Sequence, residues 1–147
     1  MFADFLQRLV QPDPAPLPDA DARLALTALL VRVARADETY DDSERARIDK
    51  IAAARYGLSP FEAAKLRGEA EALEAEAPDT VRFTRAIKDA VDYEHRIGVI
   101  EALWQVVLAD GVREAEEDAL LRLVSNLLGI NDRDSALARQ RVEGKAS

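Results

Sequence analysis

The sequence has no cysteine, a single histidine and no two glycines close together. The absence of cysteine excludes disulfides, thiolate nucleophiles and thiolate zinc sites. Because His95 is the only histidine, a histidine-cluster metal site and a His–Cys catalytic pair are excluded as well. The six glycines are isolated, so the chain lacks a glycine-rich phosphate-binding loop. Since these enzyme signatures are missing, the sequence predicts a protein without catalytic activity.

Long apolar runs and clustered basic residues are also missing. No stretch of about 18 apolar residues occurs, so no membrane span is predicted. The first residues lack the basic and apolar regions of a secretory signal, and we expect a cytoplasmic protein. The net charge of −8 argues against binding to nucleic acid or to an anionic membrane surface. The same charge favours cations or basic protein surfaces as partners.

Helix-forming residues dominate the composition. Apolar residues make up 48% of the chain, and its commonest residues are good helix formers, so we predict an all-α, compact helical domain. Residues 1–18 are predicted as an N-terminal amphipathic helix and a proline-rich linker, residues 19–142 as the domain, and residues 143–147 as a frayed tail. The predicted helices cover about 19–37, 42–56, 60–76, 78–91, 93–109, 114–128 and 132–142.

Three smaller predictions concern single segments. The apolar residues of the N-terminal helix have helical spacing and should dock on the domain or on a second copy of the chain: Phe2, Phe5, Leu6, Leu9 and Val10. Trp104 lies in an apolar helix and is predicted to be a core residue. The charge run at Glu69–Glu76 is interpreted as a solvated helix face.

One pattern of acidic and apolar residues occurs twice. Asp110 and Glu117 follow Asp37 and Glu44 by 73 residues each. At the same offset, apolar residues match apolar residues: Leu26 with Val99, Leu30 with Leu103, Val33 with Val106, Ile48 with Leu121, and Ile51 with Val124. The repeat predicts two similar helix pairs related by a pseudo-two-fold axis, with the helices of residues 61–91 between them.

The acidic residues of this repeat are the candidate metal ligands. Asp37 and Asp110 each end an inward apolar stripe, and a glutamate begins the next one. With the neighbouring turn residues, the candidate set is Asp37, Asp41, Glu44, Asp110, Glu114 and Glu117. Carboxylates that face inward need a partner, and a hard divalent cation, calcium or magnesium, would offset their mutual repulsion.

Two other interpretations of the acids stay open. Asp41 can cap a helix start, and its spacing from Glu44 is nearly that of a capping box, so the acids can be structural. An acid pair that shares a proton during catalysis is the third interpretation. An EF-hand is excluded, because the sixth and twelfth positions counted from Asp37 hold Asp42 and Ile48 instead of glycine and glutamate.

The two turns carry a resemblance to a known family. Ala36–Glu44 reads Ala-Asp-Glu-Thr-Tyr-Asp-Asp-Ser-Glu, and Ala109–Glu117 reads Ala-Asp-Gly-Val-Arg-Glu-Ala-Glu-Glu. Each is followed by an apolar helix and then by Gly-Leu or Gly-Ile. Over about residues 22–142 the chain resembles the tellurite-resistance protein B (TerB-like) family. The second turn is the closer match, because the first has Glu38 where the family usually has glycine.

The resemblance implies an all-helical, pseudo-symmetric fold and a bacterial cytosolic location. It also implies an association with tellurite resistance and stress responses, metal-linked binding, and partner proteins, without established catalysis. We therefore predict a non-enzymatic binding or scaffold protein of a stress-response system that holds a divalent cation at twin acidic turns. The alternative is a metal-free protein–protein interaction module. The expected partner is a protein, with homodimer formation as an alternative, and nucleic acid is not expected.

Overall fold

Helices account for the regular structure of the chain. A computed structural model describes residues 6–7, 9, 19–35, 40–77, 79–109 and 115–146, with the backbone alone at 19, 106–109, 115–118, 120 and 145–146. These ranges contain seven long helices and no β-strand: α1 (Asp19–Arg35), α2 (Asp42–Tyr56), α3 (Pro60–Glu76), α4 (Thr80–Ala90), α5 (Tyr93–Ala109), α6 (Ala115–Leu127) and α7 (Asp132–Ala146). The predicted all-α class is confirmed.

The helix bounds follow the local start and stop signals. Ser59 and Glu62 form a reciprocal capping box at the start of α3, with Pro60 at its first position. Gly57 ends α2 in the left-handed conformation, with φ 65°, which costs glycine little. Two bounds differ from the prediction: α4 begins at Thr80 instead of residue 78, because Asp79 is its N-cap, and α7 continues to Ala146 instead of ending near Val142. The prediction of a frayed tail is therefore wrong for residues 143–146. Val142 is buried, and a salt bridge between Arg139 and Glu143 supports the added turn.

The helices pack as a chain of neighbours around one core. Helix α1 packs mainly on α3, α3 on α2, α2 on α5, and α5 on α7, while α4 contacts α1 and α6 contacts α5. The largest fully buried side chains come from most of these helices: Phe83, Leu26, Leu29, Leu73, Ile87, Ile100 and Leu103. Trp104 is buried as predicted, and so are Leu6 and Leu9 of the N-terminal segment. Phe2, Phe5, Val10 and the proline-rich linker lie outside the described residues.

A buried carboxylate connects α1 to the end of α3. Glu74 is only 6% exposed, so the prediction of a solvated face for Glu69–Glu76 is wrong at this residue. Arg32 Nε lies 2.5 Å from Glu74 Oε1, and Arg35 Nη1 lies 2.7 Å from Oε2. Arg32 also donates to the Glu74 and Ala77 carbonyls and to the Thr80 hydroxyl. Its guanidinium thus neutralises the carboxylate and serves the last carbonyls of α3, where a positive charge is favoured.

A second arginine, Arg55 of α2, lies in the contact between α2 and α5. The Arg55 side chain lies against Gly98, where an added Cβ would come within 2.3 Å of the Arg55 Nε. A larger residue at position 98 would therefore displace the flexible end of the Arg55 side chain. The guanidinium groups of Arg55 and Arg23 both lie over the Tyr56 ring, with 5.1 Å and 4.8 Å to its centroid. The buried Tyr56 hydroxyl has no hydrogen-bond partner, and burial raises the pKa of Tyr56 to about 12.

A third arginine holds two helix ends. Arg96, in the first turns of α5, donates from Nη1 to the Leu128 carbonyl at 2.6 Å and from Nε to the Val91 carbonyl at 3.1 Å. Leu128 follows the last residue of α6, and Val91 follows the last residue of α4. One side chain therefore satisfies carbonyls that follow two helices and would otherwise lack intrahelical donors.

The predicted internal duplication relates helices α1 and α2 to helices α5 and α6. Matched positions share burial, as in Leu26 with Val99 and Ile48 with Leu121. Gly57 and Gly129, which follow α2 and α6, both have positive φ. The second acidic turn lies outside the described residues, and a two-fold relation between the helix pairs stays a prediction. No described helix has the length and apolar character that crossing a membrane requires.

Removing the Glu74 carboxylate should leave two arginines without their shared partner. We expect Glu74→Ala to lower the free energy of unfolding by about 3 kcal/mol, near the low end for a broken buried pair because Arg35 is partly exposed. The measurement is urea unfolding followed by circular dichroism. Glu69→Ala, an exposed position on the same helix, should change stability by no more than about 0.5 kcal/mol. Equal losses in the two variants would contradict the assigned role of Glu74.

The raised pKa of Tyr56 predicts a loss of stability in alkali. Below pH 10.0 the phenol is neutral in both states, whereas between 10.0 and about 12 it ionises first in the unfolded chain. Stability should therefore fall as the pH rises through this window, and Tyr56→Phe should reduce the fall. Urea midpoints measured at several pH values test this. Parallel pH profiles for the wild type and the variant would contradict it.

Candidate functional site

The first acidic turn is built at the start of α2. Asp41 is the N-cap: its Oδ1 accepts a hydrogen bond from the Glu44 backbone N–H at 3.1 Å and another from the Ser43 hydroxyl at 2.7 Å. These bonds, from Ser43 first and then from Glu44, lower the pKa of the Asp41 carboxyl below its usual value. Asp41 is therefore ionised at neutral pH, and it performs the capping role that the sequence left open.

Ion pairs surround this turn and join α2 to α3. Arg45 lies 3.1 Å from the exposed Asp42 carboxylate and 3.5 Å from Glu71. One helical turn further along α2, Asp49 pairs with Arg67 at 2.7 Å, and Arg67 also reaches Glu71. The carboxylates at the start of α2 are thus accompanied by cations, which reduce the repulsion among them.

Tyr40 lies beside these charges, just before the N-cap. The guanidinium groups of Arg35 and Arg45 lie 5.3 Å and 4.7 Å from the centroid of its ring. Its hydroxyl is buried without a hydrogen bond of ordinary geometry, although the Glu71 carboxylate is a neighbour. Burial, followed by the proximity of Glu71, raises the pKa of Tyr40 to about 12. The neutral Tyr40 ring is therefore in contact with one arginine of α1 and one of α2.

The other candidate ligands are less fully placed. Asp37, Asp110 and Glu114 lie outside the described residues, and Glu117 is described only as backbone within α6. Glu44 is half-buried in the first turn of α2 and is itself in contact with other groups. Within the described ranges, no three acidic or histidine side chains form a group that could hold a metal. The proposed proximity of Asp37 to Glu44, and of Asp110 to Glu117, stays a prediction.

His95 lies in the first turn of α5, where the sequence predicts it. The Asp92 carboxylate, just before α5, accepts a hydrogen bond from the His95 backbone N–H at 2.9 Å, and its Oδ1 lies 2.6 Å from the ring Nδ1. The bond from the backbone and then the bond from the ring lower the pKa of the Asp92 carboxyl. Asp92 thus supports the start of α5, and the histidine ring is part of that arrangement.

Sequence reasoning missed a cleft between α5, α6 and α7. The cleft has a volume of about 250 Å³, and its apolar lining comes from Trp104, Leu121 and Ala136. The Trp104 indole N–H donates to the Ser135 hydroxyl at 3.3 Å, and the Arg139 guanidinium lies 5.3 Å from the centroid of the indole. The apolar spacing predicts a core position for Trp104, and it does not show that one edge of the buried ring borders a cavity.

The same cleft contains a buried hydroxyl without a partner. Ser125 is 3% exposed and lines the cleft, and its Oγ makes no hydrogen bond with any described residue. A buried polar group left unpaired costs about 1–3 kcal/mol, and native proteins satisfy most such groups. The one available signal was a serine at an inward position of the apolar helix α6, between Val124 and Leu127.

Most of the chain matches one protein family. The family model described as tellurite resistance protein TerB matches residues 23–140, which include both acidic turns and the cleft. The comparisons with curated proteins and with solved structures gave no match.

The hydrogen bonds of Asp41 predict a graded response to substitution. We expect Asp41→Ala to lower the urea midpoint clearly more than Asp41→Asn, because asparagine also accepts backbone hydrogen bonds at an N-cap. The charge contributes above the usual pKa of aspartate and is lost as the pH falls through the lowered folded pKa. The difference between the wild type and Asp41→Asn should therefore shrink in acid. Equal midpoints for the alanine and asparagine variants at neutral pH would contradict the capping role.

Proposed function

The chain belongs to the tellurite resistance protein TerB family, and on that basis we propose that it acts as a non-enzymatic binding or scaffold protein of a tellurite-resistance-like stress response. In this proposal the acidic turns bind a divalent cation, calcium or magnesium. The assignment to the family supports the stress-response role, and the family is generally not known as a class of enzymes. The expected partner of the scaffold is another protein.

The geometry of Asp41 is the observation that supports cation binding. Its two side-chain hydrogen bonds from the described residues both end on Oδ1. No described residue donates a hydrogen bond of ordinary geometry to the other oxygen, Oδ2, and Asp41 is exposed. An ionised carboxylate oxygen is the ligand type that calcium and magnesium prefer. Capping and cation binding are therefore compatible at this residue.

The remaining ligands of the proposed site come from the acids predicted around each turn. At the first turn these are Asp37 and Glu44, and at the second they are Asp110, Glu114 and Glu117. A cation held by several carboxylates stabilises the folded state, because the unfolded chain does not keep the ligands together. Cation binding should therefore raise the thermal stability of the isolated chain, whichever protein is its partner.

The alternative function is a metal-free protein–protein interaction module. The N-cap bonds of Asp41 and the salt bridge from Arg45 to Asp42 favour it, because both account for acids of the turn without a cation. In this alternative the exposed acids contact a basic surface of a partner, or of a second copy of the chain, and the affinity falls with added salt.

Thermal unfolding with and without metal separates the two functions. We expect millimolar Ca²⁺ or Mg²⁺ to raise the melting temperature of the chelator-treated wild type. Ligand linkage gives about 2.7 kcal/mol of stabilisation when the free ion is at a hundred times its Kd. Asp110→Asn and Asp41→Asn should each reduce this shift, because each removes a charged ligand.

The matched control is Asp79→Asn. Asp79 caps α4 by accepting from the Arg82 backbone N–H, as Asp41 caps α2, but it lies in neither acidic turn. Its variant should therefore keep the full metal-dependent shift. If neither ion shifts the wild type, the metal-free interaction module is the better account. A shift that survives in both turn variants would place the cation elsewhere on the chain.

A further inference from the structure

The cleft between α5, α6 and α7 has the size of a site for a small organic molecule. Its volume of about 250 Å³ lies just below the range of ~300–1,000 Å³ for pockets that hold drug-sized ligands. Trp104, Leu121 and Ala136 provide apolar surface against which a compact hydrocarbon body would pack.

The polar groups of the cleft define the charge of its occupant. Among the described residues that line it, two arginines, Arg122 and Arg139, accompany a single acid, Asp132, in a chain of net charge −8. Arg139 Nε is paired with Glu143 at 2.6 Å, whereas no described residue pairs with Arg122. An occupant with one negative charge matches this lining, while Asp132 would repel a dianion more strongly.

The unpartnered Ser125 hydroxyl provides a second, independent indication. Ser125 lines the same cleft, and its Oγ is buried. A rotation about χ1 would turn the hydroxyl toward an acceptor oxygen of a bound ligand and give it the hydrogen bond it lacks. Ser135 accepts from the Trp104 indole N–H, which leaves its own hydroxyl hydrogen for another acceptor. Two hydroxyl donors and a guanidinium form a suitable environment for a carboxylate.

We propose that this cleft binds a small organic monocarboxylate whose carboxylate contacts Arg122 and Ser125 and whose apolar body lies against Trp104. The site is separate from the acidic turns and does not depend on the function proposed for them. A neutral molecule of the same shape lacks the contact with Arg122. A cation is repelled by Arg122, and inorganic phosphate lacks an apolar body.

The single tryptophan makes the test direct. Because Trp104 is the only tryptophan of the chain, the intrinsic fluorescence of the full-length protein reports on this cleft. We expect sodium benzoate to change the emission along a saturable binding curve. Benzamide, which has the same ring without the charge, and inorganic phosphate should each give no saturable change. A fourth titration with sodium chloride alone measures the effect of ionic strength, to which the other three are matched.

Two variants assign the effect to the proposed contacts. Arg122→Gln should raise the Kd for benzoate by at least about tenfold, because it removes a charged donor. Arg133→Gln, an exposed arginine on α7 that does not line the cleft, is the matched control and should leave the Kd unchanged. Arg122 is exposed, so its variant should fold like the wild type.

Ser125→Ala separates binding from structure. If the hydroxyl serves a ligand, the variant should bind benzoate several-fold more weakly while its urea midpoint stays the same or rises, because an unpaired buried group is removed. A purely structural role would lower the midpoint and leave the Kd unchanged. The proposal is overturned if benzoate quenches linearly without saturation, if benzamide or phosphate binds as well as benzoate, or if Arg122→Gln and Arg133→Gln behave alike.

Discussion

The neutralisation of one buried carboxylate by two arginines is the interaction on which the arrangement of the helices depends. Glu74 is enclosed at the end of α3, and its two oxygens are bound by Arg32 and Arg35 of α1. Arg32 extends the contact to Thr80 at the start of α4. Helices α1 and α3, which form the most extensive contact among the described helices, are thus fixed in register by charge as well as by apolar packing. A buried charge without its partner is costly, so sliding of one helix along the other is opposed.

Carboxylates serve different purposes according to their burial. Glu74 is buried and fully paired, Asp41 is exposed and caps α2, and Asp42 is exposed beside Arg45. Only the exposed ones can meet a partner or an ion, which is why the proposed cation site lies at the turn. The cleft shows the reverse case, since Arg122 lines it without a described acidic partner and the buried Ser125 hydroxyl has no hydrogen bond with a described residue. The two proposed sites therefore select ligands of opposite charge.

The sequence predicted the fold better than the sites, for a physical reason. Helix periodicity and end signals are local, so Ser59 with Glu62, and Gly57, located the ends of α2 and α3 correctly. The burial of Glu74 depends on α1, some 40 residues away, and no local pattern contains that information. The cleft at Trp104 likewise requires three helices to be placed together. Of the acidic set, capping was predictable for Asp41 from its spacing to Glu44, whereas cation binding depends on side chains from separate helices.

The position of Arg96 has a mechanical consequence. Its two hydrogen bonds reach the residues that follow α4 and α6, so the segment leading from α6 into α7 and the segment leading from α4 into α5 share one support. A displacement of α6 by more than a few tenths of an ångström would stretch a charge-assisted bond of 2.6 Å. It must therefore draw Arg96 along or break that bond. A strain at the end of α6 is thus transmitted through Arg96 to the junction between α4 and α5.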